Sequence, residues 1–210
     1  DSNVVTNCTI TTNTTSTTTN YAGVVFNAAD AGITTTGNTN CDANIIDRNS
    51  ITGGWCGVSV TGSGTNFINR NRITRNRILD WYNVGVYVAG TRETVIDSNF
   101  ISRPTRTTLI AGNAIQFTAA NSLVARVTRN RITRLFGGAP TNTSGFNGIV
   151  FSSVDATAGN ENIVSNNVIY NTDGAGVVNG FLNTGSDNVR YYHNTVSIDN
   201  PTSTSASTSS

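Results

Sequence analysis

Lysine and methionine are missing from this chain of 210 residues, and histidine occurs once. All thirteen basic side chains are therefore arginines, set against twelve acids for a net charge of +1. A balance so close to zero offers no bulk attraction for nucleic acid, and no nucleic-acid-binding motif is present. Cys-x-x-Cys spacing is absent and His193 stands alone, which excludes a structural zinc site; no cofactor is expected. No apolar run approaches the ~18 residues of a membrane span. Asp1 opens no signal peptide, so a secreted protein would be seen here in mature or trimmed form. Cysteines are few and odd in number, at three. Cys41 and Cys56 are either free or bridged, and a bridge would add about 3 kcal/mol on the chain-entropy argument. Cys8 is expected to be buried as a small apolar residue.

What the chain has in abundance is Thr, Ser, Asn and Gly, arranged in two alternating patterns. One has the form apolar-x-x-Asn-x-apolar, as in Ile68-Asn69-Arg70-Asn71-Arg72-Ile73. It recurs with Asn49, Asn71, Asn99, Asn130, Asn167 and Asn194 in the fourth position, and with Cys8 there in the first copy. The other has the form Gly-apolar-x-apolar, as in Gly85-Val86-Tyr87-Val88, with further copies at Gly23, Gly57, Ala114, Gly148 and Gly176. Connectors between copies vary in length while the patterns do not, as in a coil that carries loop insertions.

Alternation in the second pattern marks strands with one buried face. The first pattern reads as two very short strands about a tight turn, with Asn at the turn because it tolerates left-handed backbone angles. Three short strands per turn, repeated for about seven turns, make an all-β, right-handed parallel β-helix without a capping helix. Rungs would stack about 4.8 Å apart, placing the asparagines in one file where each amide both donates and accepts. Residues 1–200 are expected to form this single domain. Residues 201–210 would be a Ser/Thr-rich tail or the start of a continuing coil.

These repeats resemble the parallel β-helix of the pectate-lyase-like superfamily, with its asparagine ladder. The segment Arg190-Tyr191-Tyr192-His193-Asn194-Thr195-Val196 and the Ser/Thr tail resemble repeats in large secreted surface proteins of Bacteroidetes-type bacteria. The resemblance implies an extracellular location and a structural, adhesive role; neither end shows a capping element, and an open coil exposes strand edges, so modules are expected to meet end to end. It also supplies the alternative, a polysaccharide lyase or glycoside hydrolase. That alternative lacks carboxylates in the outward slot Val25, Ser59, Tyr87, Gln116, Val150 and Val178, where a pair or a calcium cluster would be needed. Asp80 and Asp173 lie in following loops, three rungs apart.

Two surface features bear on binding. Arg48, Arg70 and Arg129 are assigned to the slot before the ladder Asn, Arg72 and Arg131 to the slot after it, and Arg75, Arg103 and Arg134 to the slot four after. These eight would line one edge, either as a patch for a polyanion such as a polysaccharide or as a solvated edge paired with Asp47 and Asp97. Trp55, Trp81, Tyr82 and Phe136 in the connectors would either stack on sugar rings or pin the loops to the coil. A third strip, Val4, Ile45, Phe67, Val95 and Ile163, is apolar where an outward residue is expected, and calls for cover by a connector or a neighbour.

Overall fold

Strands too short to stand alone become stable here by parallel stacking, each pairing with its counterpart one lap later. The computed structural model describes residues 2–30 and 32–198 and shows a right-handed parallel β-helix. Two sheets have seven strands and a third has six, and a further pair of strands completes the set. The first sheet runs through Val4–Thr6, Ile45–Asp47, Arg72–Thr74, Val95–Asp97, Arg126–Thr128, Asn162–Ser165 and Val189–Tyr192. The second follows it around a tight corner, with Thr9–Thr11, Ser50–Thr52, Arg77–Leu79, Phe100–Ser102, Arg131–Thr133, Val168–Tyr170 and Thr195–Val196. The third holds the longer strands, from Ala22–Phe26 to Val178–Thr184. The tail at 201–210 lies outside the described residues.

Register places like residues on like. Ile46, Ile73, Ile96, Val127 and Val164 form one interior column, and Ile51, Ile78, Ile101, Ile132 and Ile169 another. All are buried, and each full burial of such a side chain contributes about 1.5–3 kcal/mol. On the long-strand sheet, Phe117 and Phe151 stack at 4.5 Å with ring planes 5° apart. The last copy of the glycine pattern is not the expected one at Gly176. Asn179 pairs with Asn147 and Phe181 with Ile149, so Gly180 takes the Gly148 slot and Leu182, not Val178, faces outward beside Val150.

The corner between the first two sheets is built from two adjacent residues. Asn7, Arg48, Arg75, Ser98, Arg129, Asn166 and His193 all have φ between 51° and 57°. The left-handed residue is therefore the one before the ladder Asn, not the Asn itself. Non-glycine residues in that conformation cost about 1–2 kcal/mol each. The position is tolerated because its side chain points to solvent while the next residue is clamped inside.

That clamp is a continuous file. The Nδ2 groups of Asn49, Asn76, Asn99 and Asn130 each donate to the Oδ1 of the next asparagine at 3.0 Å, and Asn167 donates to Asn194 at 2.9 Å. The same Oδ1 atoms accept the backbone N–H of the preceding member, beginning with Cys8. Each Nδ2 also donates back to a carbonyl of the previous rung, as Asn99 does to Ile73 and Asn130 to Ile96. Asn71 is not in this file. It belongs to a second, shorter one at another corner, where Asn3 donates to Asn44 and Asn44 to Asn71. Ile68-x-x-Asn71-x-Ile73 and Ile73-x-x-Asn76-x-Ile78 both satisfy the pattern. Pairing of Ile46 with Ile73 and Ile51 with Ile78 selects the later one, because it keeps both interior columns unbroken.

The three cysteines are free thiols. Cys8 heads the file but is exposed, since it lies in the outermost described rung and no rung covers it from that side. Cys41 is half-buried with its Sγ 3.1 Å from Thr39 Oγ1, whereas Cys56 is enclosed and donates to Val58 O at 3.1 Å. Burial pushes the Cys56 thiol far above its ordinary range. Native protein treated with iodoacetamide is thus expected to alkylate Cys8 fastest and to leave Cys56 unmodified until it unfolds. Mass spectrometry showing a Cys41–Cys56 bridge, or ready alkylation of Cys56, would contradict this arrangement.

Candidate binding face

Alternate residues on the short strands must point away from the coil, so each outward slot becomes a row along the rod. Four residues before the ladder position the row reads Val4, Ile45, Arg72, Val95, Arg126, Ile163, Arg190. The expected apolar strip is therefore a row in which arginines alternate with aliphatics, and Phe67 is not part of it. One residue after the ladder position the row reads Thr9, Ser50, Arg77, Phe100, Arg131, Val168, Thr195. Arg48, Arg75 and Arg129 stand between these rows on the left-handed corner.

Two copies of one ionic module occupy that corner. Asp47 accepts from Arg75 through Nε and Nη2, both at 2.8 Å, and from Thr74 Oγ1 at 2.6 Å. Asp97 accepts from Arg129 and Thr128 in the same way, at 2.8, 2.8 and 2.6 Å. Aspartate sits on one rung, and threonine and arginine on the next. Arg48 also lies 3.6 Å from Asp47. Asp47, Thr74, Arg75, Asp97 and Arg129, together with Ile45, Arg72 and Ser98, line a groove of about 520 Å³.

Burial alone would raise both carboxyls, but the bonds from Arg75 and Thr74, and from Arg129, Thr128 and Ser98, outweigh it and hold them below their ordinary range. A depressed acid contributes stability that is complete above its unfolded pKa and is lost as pH falls through the folded one. Thermal melts should therefore be flat from neutrality down to the ordinary carboxyl range and decline below it. The Asp47→Asn/Asp97→Asn double variant should flatten that decline. An unchanged acid limb would contradict the role given to these carboxylates.

The other arginines of the expected patch lie elsewhere. Arg70 is the left-handed residue before Asn71 at another corner, and Arg134 is exposed at the far end of the second sheet. Arg103 is fully buried, with its Cζ 4.6 Å from the Trp81 ring centroid and 4.5 Å from that of Phe146. Burial and the neighbouring Arg106 push its pKa down to about 9, so it remains a cation at neutral pH. Arg77 and Arg126 do belong to the face, although the sequence assignment omits them. The signal that finds them is the near-identity of Arg72-Ile73-Thr74-Arg75-Asn76-Arg77-Ile78 and Arg126-Val127-Thr128-Arg129-Asn130-Arg131-Ile132.

Trp81 and Phe136 are buried in the core and present no ring face to a ligand. Trp55 and Tyr82 are half-buried, the latter covered by the Arg106 guanidinium at 4.9 Å. Asp80 is committed to the loop that follows it in the next rung. It accepts from Thr105 N at 2.9 Å, Thr105 Oγ1 at 2.7 Å and Arg106 N at 3.0 Å. Asp173 is exposed. No protein-family model matches the chain, and no curated protein or solved structure shows significant similarity to it.

Proposed function

We propose that this chain is a structural, adhesive β-helix module of an extracellular bacterial surface protein or filament. In this reading it belongs with the pectate-lyase-like repeats that Bacteroidetes-type bacteria use in large secreted proteins. The observation that carries it is the stack itself. Every sheet is parallel from its first to its last described strand, so among the described residues both ends of the stack offer strand edges with unpaired backbone groups. Val5 and Val196 continue the interior columns at opposite edges, and they are half-buried and exposed where their neighbours in the column are fully buried. Another module of the same rung geometry would pair those edges and extend the core. Sparse charge and Thr/Asn-rich connectors suit a rod whose flank presents loops, with glycan contact as a secondary role. No helix among the described residues is long and apolar enough to cross a membrane.

Electron microscopy of native material, with sedimentation of the purified chain, tests the reading. The expected result is end-joined rods that shorten when Val5→Lys and Val196→Lys place charge in the interior columns at the edges. Separate particles at all concentrations, unaffected by those substitutions, would overturn it.

A further inference from the structure

Three ionised side chains are buried together where the second sheet passes into the third. Arg103, Arg106 and Asp80 are 0%, 3% and 6% exposed. The backbone N–H of Asp80 donates to Ser102 O at 3.0 Å, which sets Asp80 on the rung next to Arg103. The Asp80 carboxylate is already taken by Thr105 and by the Arg106 N–H. The Arg106 guanidinium is taken by three backbone carbonyls, of Thr108, Asp80 and Ser16. Arg103 has no such partner, for its Nε, Nη1 and Nη2 are all buried and unbonded among the described residues. Two cations against one carboxylate leave the cluster one positive charge in excess. Further donors stand at the same place. Trp81, whose ring centroid lies 4.6 Å from Arg103 Cζ, has a buried Nε1 without an acceptor among the described residues, and the neighbouring Ser102 hydroxyl is likewise unbonded. The Trp81 and Phe146 rings offset part of what the cation loses on leaving water, but they leave its in-plane N–H groups unanswered.

We infer that Arg103 holds a buried monovalent anion of halide size, chloride in an ordinary buffer, against the edge of its guanidinium. Buried polar groups are met by protein, water or an ion, and here the unmet groups are nearly all donors. Water suits such a place poorly, because it brings protons of its own where acceptors are short. A single negative charge brings the cluster to neutrality. Sulfate or phosphate as a dianion overshoots that balance and needs more room than a close-packed interior leaves. The ion then fastens the connector of Arg103 and Arg106 to the rung of Trp81 beneath it. This site lies in the core, so it is independent of end-to-end joining and of the exposed arginine rows.

Crystals of protein refolded in sodium bromide test it. Anomalous diffraction should place a bromide within hydrogen-bonding reach of the Arg103 guanidinium. In solution, each tenfold rise in bromide or chloride, with ionic strength held constant by gluconate, should raise the melting temperature by about 3–5 °C. Arg103→Met should abolish both the peak and the halide dependence, while Arg77→Ala, exposed on another corner, should keep them. If Arg103→Met does not fold, the wild-type bromide map decides alone. Water alone at Arg103, bromide found only on exposed arginines, or a halide dependence unchanged in Arg103→Met would overturn the inference.

Discussion

Replacing Asn130 by alanine is expected to lower the unfolding free energy by about 3–9 kcal/mol, for three buried groups each lose a hydrogen bond at about 1–3 kcal/mol apiece. The Asn99 backbone N–H and Nδ2 both end on Asn130 Oδ1 at 3.0 Å, and Ile96 O accepts from Asn130 Nδ2 at 2.9 Å. None of these groups reaches water, because Asn99 and Asn130 are 1% and 0% exposed. Asn71→Ala should cost less, about 1–3 kcal/mol. It strands two donors of Asn44 but removes an Nδ2 that has no partner of its own among the described residues. Urea unfolding of the two variants should show a midpoint much lower for Asn130→Ala at similar slope. Equal losses, or a larger one at Asn71, would mean that the two files carry equal weight.

Trp81→Ala is the second large effect, at about 3–5 kcal/mol for a fully buried large aromatic. The ring meets Phe146 edge-on at 6.3 Å and supports the Arg103 guanidinium, whose three nitrogens have no hydrogen-bond partner among the described residues. Truncation therefore opens a cavity and strips one aromatic face from a desolvated cation. Arg103→Met keeps the volume and removes the charge, so it should cost less than Trp81→Ala. The double variant should lose less than the sum of the two, because the residues share one contact. A Trp81→Ala loss under about 1 kcal/mol would contradict the buried placement and reopen a surface role for this ring.

The architecture was legible because its period is carried by residue types with one physical job each: isoleucine or valine inside, glycine where rungs crowd, asparagine at the corner. Gly57 illustrates the crowding, since a Cβ there would sit 2.6 Å from Gly85 O. Register failed where the code overlaps itself. Ile73 serves as the closing apolar residue of one match and the opening residue of the next, so residues 68–78 admit both readings until the neighbouring rungs decide. That single slip moved Arg70, Arg72 and Arg75 into wrong slots and hid Arg77. The burial of Trp81, Phe136 and Arg103 depended on how connectors fold across rungs, and nothing in their local spacing encodes it. Arg106 shows the distance involved, with its guanidinium bonded to Ser16 O at 2.6 Å across 90 residues of chain.

Hydrogen exchange of side-chain amides, followed by NMR on the asparagine-labelled protein, reads the ladder most directly. Asn49, Asn76, Asn99, Asn130 and Asn167 should exchange slowly and together, as one buried file whose amides open only when the rungs do. Exchange at Asn76 and Asn130 as fast as at exposed Asn7 would contradict the stacked file, and the rung register and binding face with it.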